Sequence, residues 1–198
     1  MRRQLDAAAE QALVDQCRRQ DYEAFGKIVD AFQSRIFGFV KRMLRNDEES
    51  ADVTQEVFIK AFQSLSKFDG RSSLRTWLFR IAYNLCIDRV RRSERALDVA
   101  SLDAMGTELE AFDLADSRWN PGALLDESDF LEVVDKAVLE LSEKLRTVLL
   151  LHDKEDLGYE EIANVVNVPV GTVKSRLFLA RAHLQKAVTK YVQTGGSI

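Results

Sequence analysis

Proline occurs only at Pro121 and Pro169, and cysteine only at Cys17 and Cys86. The first scarcity leaves long stretches free to stay helical, because proline removes a hydrogen bond from the helix ladder. With few strand-like alternations beside it, the chain reads as all-α. The second scarcity excludes a disulfide scaffold, and with no CxxC pair or ligand spacing no metal site is expected. Both thiols read as reduced and cytosolic, with Cys86 among apolar neighbours and so in a core. Histidine is as rare: His152 reads as a helix-end residue and His183 as part of a C-terminal helix. Without paired carboxylates or a glycine-rich phosphate loop, no catalytic centre and no cofactor are expected. No apolar run approaches the roughly eighteen residues of a membrane span. The opening MRRQLDAAAEQ lacks the apolar segment of a signal peptide. The chain is expected in the cytoplasm, without membrane insertion.

What is present is charge, unevenly placed. The formal net charge is −4 over 198 residues, so a nucleic-acid surface would have to gather its cations in patches. Between Glu94 and Asp129 ten acidic positions face two basic ones, a local net of −8. That stretch has no sustained periodicity, and Gly106 and Asn120-Pro121-Gly122 are turn and loop formers. It reads as an acidic flexible linker. On the residues alone it is a solvated tether.

Helical patterns lie on both sides of it. Residues 1–20 are a polar lead-in, weakly helical around Ala7 to Val14. Phe25, Ile28, Val29, Phe32, Ile36, Val40 and Met43 or Leu44 then trace an amphipathic helix, with a bend expected near Gly38. Asn46-Asp47 ends it and can cap the next helix. In that helix Val53, Val57, Ala61 and Leu65 repeat at helical spacing, with Phe58 and Phe62 widening the buried stripe. Asp52, Gln55, Glu56 and Lys60 should face out. A polar loop follows, Lys67-Phe68-Asp69-Gly70-Arg71-Ser72-Ser73, with turn formers at Asp69 and Gly70 and a capping residue at Ser73. Beyond it Leu78, Ile81, Ala82 and Leu85 form a buried stripe, while Trp77, Arg80, Asn84 and Arg91 share a neighbouring face. Arg75, Arg89 and Arg92 add charge. An aromatic plane can stack on a base and guanidinium groups can neutralise phosphates. The plainer reading makes Trp77, Phe79 and Tyr83 core aromatics and the arginines a solvated face.

The order DVTQEVFIKAF, then KFDGRSSLRTWLFRIAYNLCIDRVRR, closely resembles region 2 of bacterial RNA polymerase sigma factors, in the extracytoplasmic-function group of the sigma-70 family. The resemblance implies that Asp52, Gln55, Glu56 and Lys60 dock on the clamp helices of the polymerase β′ subunit. It also implies that the loop and second helix capture the non-template strand at the −10 element. The candidates there are Lys67, Phe68, Asp69, Arg71, Ser72, Ser73, Trp77, Arg80, Asn84 and Arg91. The acidic stretch would thread the polymerase channels, as the linker does in that family.

After about Phe130, Val134, Ala137, Val138, Leu141, Leu145 and Val148 trace further helices, broken near Ser142. That family commonly has proline at this position, and serine can still cap a helix. The C-terminal part carries a helix-turn-helix pattern: a helix over Tyr159–Val166, a turn at Asn167-Val168-Pro169-Val170, and a second helix from Gly171. Ile162, Ala163, Val166, Val168, Val173 and Leu177 are the small apolar contacts such a pair needs. Asn167 suits the left-handed turn position. From Val170 to Lys190 the charged residues are all basic, the combination that a helix in the major groove requires.

The string YEEIANVVNVPVGTVKSRLFLARAHL resembles sigma region 4. By that resemblance Thr172, Lys174, Ser175, Arg176, Phe178 and Arg181 contact the −35 element. Leu179 stands where that family often has a basic residue, and packing is its favoured role. The resemblance therefore implies an initiation factor with units at residues 1–93, 94–129 and 130–198. Its expected partners are core RNA polymerase (β′ clamp helices and β flap), promoter DNA and an anti-sigma factor. No C-terminal extension suggests a built-in inhibitor. The alternative is a stand-alone helix-turn-helix regulator, which leaves Asp52–Arg92 without a purpose.

Overall fold

The computed structural model describes residues 7–19, 21–98 and 127–193. Every regular element among them is helical. The first group is α1 (Ala7–Arg18), α2 (Tyr22–Leu44), α3 (Asp47–Ser64), a single 3-10 turn (Leu65–Lys67) and α4 (Leu74–Asp98). The second is α5 (Glu127–Glu140), α6 (Glu143–Leu149), a wide π-type turn (Leu150–Lys154), α7 (Tyr159–Val166) and α8 (Val170–Gln193). Helix α4 continues past Arg92 to Asp98, and α5 begins at Glu127. Most of the expected acidic linker, residues 99–126, lies outside the described residues.

Local chemistry sets the boundaries. The Asp21 carboxylate accepts from the amides of Glu23 and Ala24 at 2.9 and 3.1 Å, satisfying two orphan donors at the start of α2. That helix runs unbroken through Gly38 and ends at Arg45, in the left-handed conformation. Asn46 accepts from the Glu49 amide at 3.0 Å, and Asp47, Glu48 and Glu49 place negative charge at the positive end of α3. Ser142 sits at the start of α6, as expected, but its hydroxyl makes no capping bond. The break is held instead by its carbonyl, which accepts from the Leu145 and Arg146 amides.

The α2 stripe is buried as its periodicity requires: Ile28, Phe32, Ile36, Val40 and Met43 are all under 5 % exposed. Two of the structure's features differ from the sequence expectation. Helix α1 is a full helix rather than a weak lead-in, because Val14 and Cys17 are driven into the core against α2. Phe62 does not widen the buried stripe of α3; it is 36 % exposed and packs edge-on to Phe25.

The two helical groups also dock. Helix α4 packs on α7 and α2 touches α6, so one cluster of buried side chains runs from Val14 to Ala180. Arg146 of α6 is buried at this junction and donates to the carbonyls of Arg42 on α2 and of Leu139 and Leu141 at the end of α5. Its guanidinium thereby satisfies carbonyls at two helix ends. Burial, and then the nearby Arg45, pull its pKa down to about 10, so it remains charged at neutral pH.

Candidate nucleic-acid interfaces

The loop between the 3-10 turn and α4 folds on its own polar groups. Gly70 has φ 74°, which glycine tolerates without strain. Asp69 accepts from the Arg71 amide at 3.1 Å and pairs with the Arg71 guanidinium at 2.9 Å. Ser73 caps α4 by accepting from the Thr76 amide at 3.1 Å. Lys67, Asp69 and Arg71 are exposed, and Ser72 and Ser73 half-buried. Lys67, Phe68, Asp69, Arg71 and Ser72 meet Thr76, Trp77 and Arg80 around a cavity of about 300 Å³, whose lining also includes Asn164 of α7.

Along α4 the expected face divides. Arg80, Asn84 and Arg91 are exposed on one side, as their spacing predicts. Trp77 follows the plainer reading instead, as a buried aromatic and not an open stacking platform. It is 7 % exposed and packed on Phe68, itself 5 % exposed, with ring centroids 5.2 Å apart. The rings shield each other because an unpaired ring in water is costly. Phe79 is fully buried and Tyr83 half-buried. Arg75 and Arg89 are engaged: Arg75 pairs with Glu161, and Arg89 with Glu49 and Glu56.

On α3, Asp52, Gln55 and Lys60 are exposed and Glu56 is half-buried. Burial opposes ionisation of Glu56, but hydrogen bonds and charge from Lys60 and Arg89 outweigh it and hold its pKa below the ordinary value. Gln55 borders a feature the periodicity did not reveal. Tyr22, Phe25 and Val29 of α2 and Phe58, Ile59 and Phe62 of α3 line a groove of about 740 Å³. Tyr22 is 70 % and Ile59 48 % exposed. The available signal was Ile59 itself, an apolar residue between Gln55 and Gln63 on the face expected to be polar.

Helices α7 and α8 form the expected pair. Asn167 takes the left-handed conformation (φ 53°, ψ 53°) at the end of α7, and Ile162, Val166, Val173 and Leu177 are buried between the helices. Lys174 and Ser175 are exposed and Phe178 is 58 % exposed, while Thr172 and Arg176 are half-buried. Leu179 is half-buried. Lys174 lies over the Tyr159 ring, 5.6 Å from its centroid. Arg181 donates to Asp153 at 2.6 Å and approaches His152 at 3.2 Å, so part of its hydrogen-bonding capacity is already used. The other histidine, His183, lies in α8 with its Nε2 3.8 Å from Glu140.

Among the described residues no cluster of histidine, cysteine and acidic side chains is arranged to hold a metal, and no helix is long and apolar enough to cross a membrane.

Comparison with known proteins places two segments of the chain in families. Residues 28–96 match the model of Sigma-70 region 2, and residues 131–184 that of Sigma-70, region 4. The RNA polymerase sigma-H factor of Pseudomonas aeruginosa is 38 % identical over 184 residues, spanning 90 % of this chain and 93 % of the relative. The ECF RNA polymerase sigma factor SigW of Bacillus subtilis is 34 % identical over 175 residues, 87 % of this chain and 93 % of the relative. The ECF sigma-E factor of Escherichia coli is 32 % identical over 185 residues, covering 93 % and 96 %. Among solved structures, CnrH in complex with the cytosolic domain of CnrY shares the fold with a TM-score of 0.65 at 23 % identity, covering 91 % of this chain and 97 % of that one. The sigma factor RpoE of Bartonella quintana, in complex with the anti-sigma factor NepR, gives 0.63 at 23 % identity, covering 83 % and 96 %. With two all-helical bundles, a loop pocket at the head of α4, a helix-turn-helix, and relatives spanning nearly the whole chain, the protein belongs to the sigma-70 family, in its extracytoplasmic-function group.

Proposed function

We propose that the chain directs core RNA polymerase to promoters through three surfaces and performs no catalysis of its own. Residues 1–93 are the unit for polymerase docking and the −10 element, 94–129 the linker, and 130–198 the unit for the −35 element. Asp52, Gln55, Glu56 and Lys60, together with the α2/α3 groove, receive the β′ clamp helices. An exposed apolar groove with a polar rim suits a helical partner better than solvent. The loop Lys67–Ser73 with Trp77, Arg80, Asn84 and Arg91 takes the single-stranded −10 element. Phe68 and Trp77 supply stacking once their cavity is opened, at about 1–3 kcal/mol per base. Thr172, Lys174, Ser175, Arg176, Phe178 and Arg181 read the −35 duplex, with the same domain resting on the β flap. The factor works in the cytoplasm, and an anti-sigma factor restrains it.

The observation that carries this reading is the presence, in order, of the two matched segments, 28–96 and 131–184. A stand-alone regulator would use the second and leave the first without a role. Run-off transcription with core polymerase, the purified chain and genomic fragments tests it. Defined start sites that require the chain are expected. Tight duplex binding by the chain alone, with no polymerase-dependent transcript, would overturn it.

A further inference from the structure

The −10 surface proposed above is not open. Glu161, the third residue of α7, accepts the Gly158 amide on Oε2 at 3.0 Å, closing the start of its own helix. Its Oε1 reaches across to α4, accepting from the Thr76 hydroxyl at 2.6 Å and the Ser73 hydroxyl at 3.2 Å. Arg75 lies 3.6 Å from the same carboxylate and donates to the Glu155 carbonyl at 3.1 Å. Below it Arg35 of α2 donates to the Glu155 carboxylate at 2.7 Å and to its carbonyl at 3.2 Å. Both acids belong to the C-terminal domain, and apart from the Gly158 amide all their partners here belong to the N-terminal one. A carboxylate accepting two hydroxyl bonds beside a guanidinium has the same needs as a phosphate oxygen. It occupies the head of α4, where the backbone of a captured strand would lie.

We infer that the helix-turn-helix domain is itself the inhibitor of the −10 surface: Glu161 and Glu155 clamp it shut in the free protein, and the clamp must open before single-stranded DNA enters. Further down the seam Arg91 and Arg176, one from each DNA surface, both act electrostatically on Tyr83 and on Glu143, so the seam brings the two surfaces together. On a promoter they must part. Elements named −35 and −10 lie on the order of 80 Å apart at ~3.4 Å per base step. The stretch 99–126, about 28 residues at roughly 3.4 Å each, can span such a distance when extended. A closed majority lowers the apparent affinity for single strands by the fraction of molecules that are open.

The inference rests on the −10 reading but is tested without polymerase. In full-length protein, Arg35→Glu sets two carboxylates against each other, and Arg35→Glu with Glu155→Arg restores a pair of reversed sign. Neither residue belongs to a proposed DNA surface. The radius of gyration and the anisotropy of a labelled single-stranded −10 non-template oligonucleotide are read together. Arg35→Glu is expected to expand the molecule and tighten oligonucleotide binding about tenfold, with the swap returning both readings to wild type. Glu161→Lys, a substitution at a half-exposed position, should do the same should Arg35→Glu fail to fold. An unchanged radius in the folded variants, or an expanded molecule that binds the oligonucleotide no better, would overturn the inference. Failure of the −10 reading would appear instead as transcription from bubble templates indifferent to −10 bases.

Discussion

On α8, Phe178 is 58 % exposed and Lys174 and Ser175 stand in solvent; at the head of α4, Trp77 is 7 % and Thr76 1 % exposed. The two surfaces proposed to read DNA are thus kept in opposite states, and the chemistry of their proposed targets accounts for it. A duplex offers its base edges in a groove, so a preformed helix with polar tips can read it unaltered. A single strand must be held by stacking and by a pocket, and a pocket with aromatic walls would expose costly apolar area when empty. Phe68 and Trp77 therefore pack on each other, and Asn164 of α7 joins the lining of their cavity.

The largest expected effect comes from loosening the junction between the halves. Arg146→Ala leaves carbonyls on α2 and α5 without their donor, which costs about 2–4 kcal/mol. That is a fall of roughly 5–15 °C in thermal midpoint for a chain this size. A midpoint unchanged within a degree would show that Arg146 ties nothing. Next, Arg176→Ala should lose discrimination among −35 bases by roughly 5- to 100-fold, on duplex and pre-melted templates alike. Asn84→Ala should instead respond to −10 bases. Transcription from single-base variants of each element reads both, and crossed responses would break the division. A smaller change is expected from Gln55→Ala with Ile59→Ser at the α2/α3 groove: core polymerase binding weakens about tenfold in a titration. Stability should stay within about 0.5 kcal/mol because both positions are exposed. Wild-type affinity would remove the groove from the docking surface. The smallest effect is a null one. Burial pushes the Cys86 thiol up to about 12 and raises that of Cys17, so neither should react with a thiol reagent at neutral pH until the protein is denatured.

Much of this was legible in the sequence because it is local. The α2 stripe, the Asn46 and Ser73 caps, the Gly70 turn and the left-handed Asn167 all follow from a few adjacent residues. So do the outward Arg80, Asn84 and Lys174, which fall where helical spacing puts them. What escaped depends on pairs distant in the chain. Phe62 is held at a surface by Phe25 and Tyr22, and α1 is helical because α2 lies beneath it. Glu155 and Glu161 look like ordinary solvated acids beside Tyr159, and only folding brings Arg35, Arg75 and Thr76 against them. For Glu161, burial opposes ionisation, but hydrogen bonds from Thr76 and the Gly158 amide and the charge of Arg75 prevail, and its pKa is lowered. For Glu155 burial prevails over Arg35, and its pKa is raised.

The central claim is that the C-terminal domain covers the −10 surface in the free factor and leaves it at a promoter. Ser66, in the N-terminal group, and Glu160, in the C-terminal one, are exposed and belong to no proposed DNA or polymerase surface. Dyes on Ser66→Cys and Glu160→Cys, with both native thiols buried, report the separation by energy transfer. High transfer in the free protein, lost when core polymerase and promoter DNA are added, is the predicted result. Equal transfer in the free protein and the promoter complex would contradict the account.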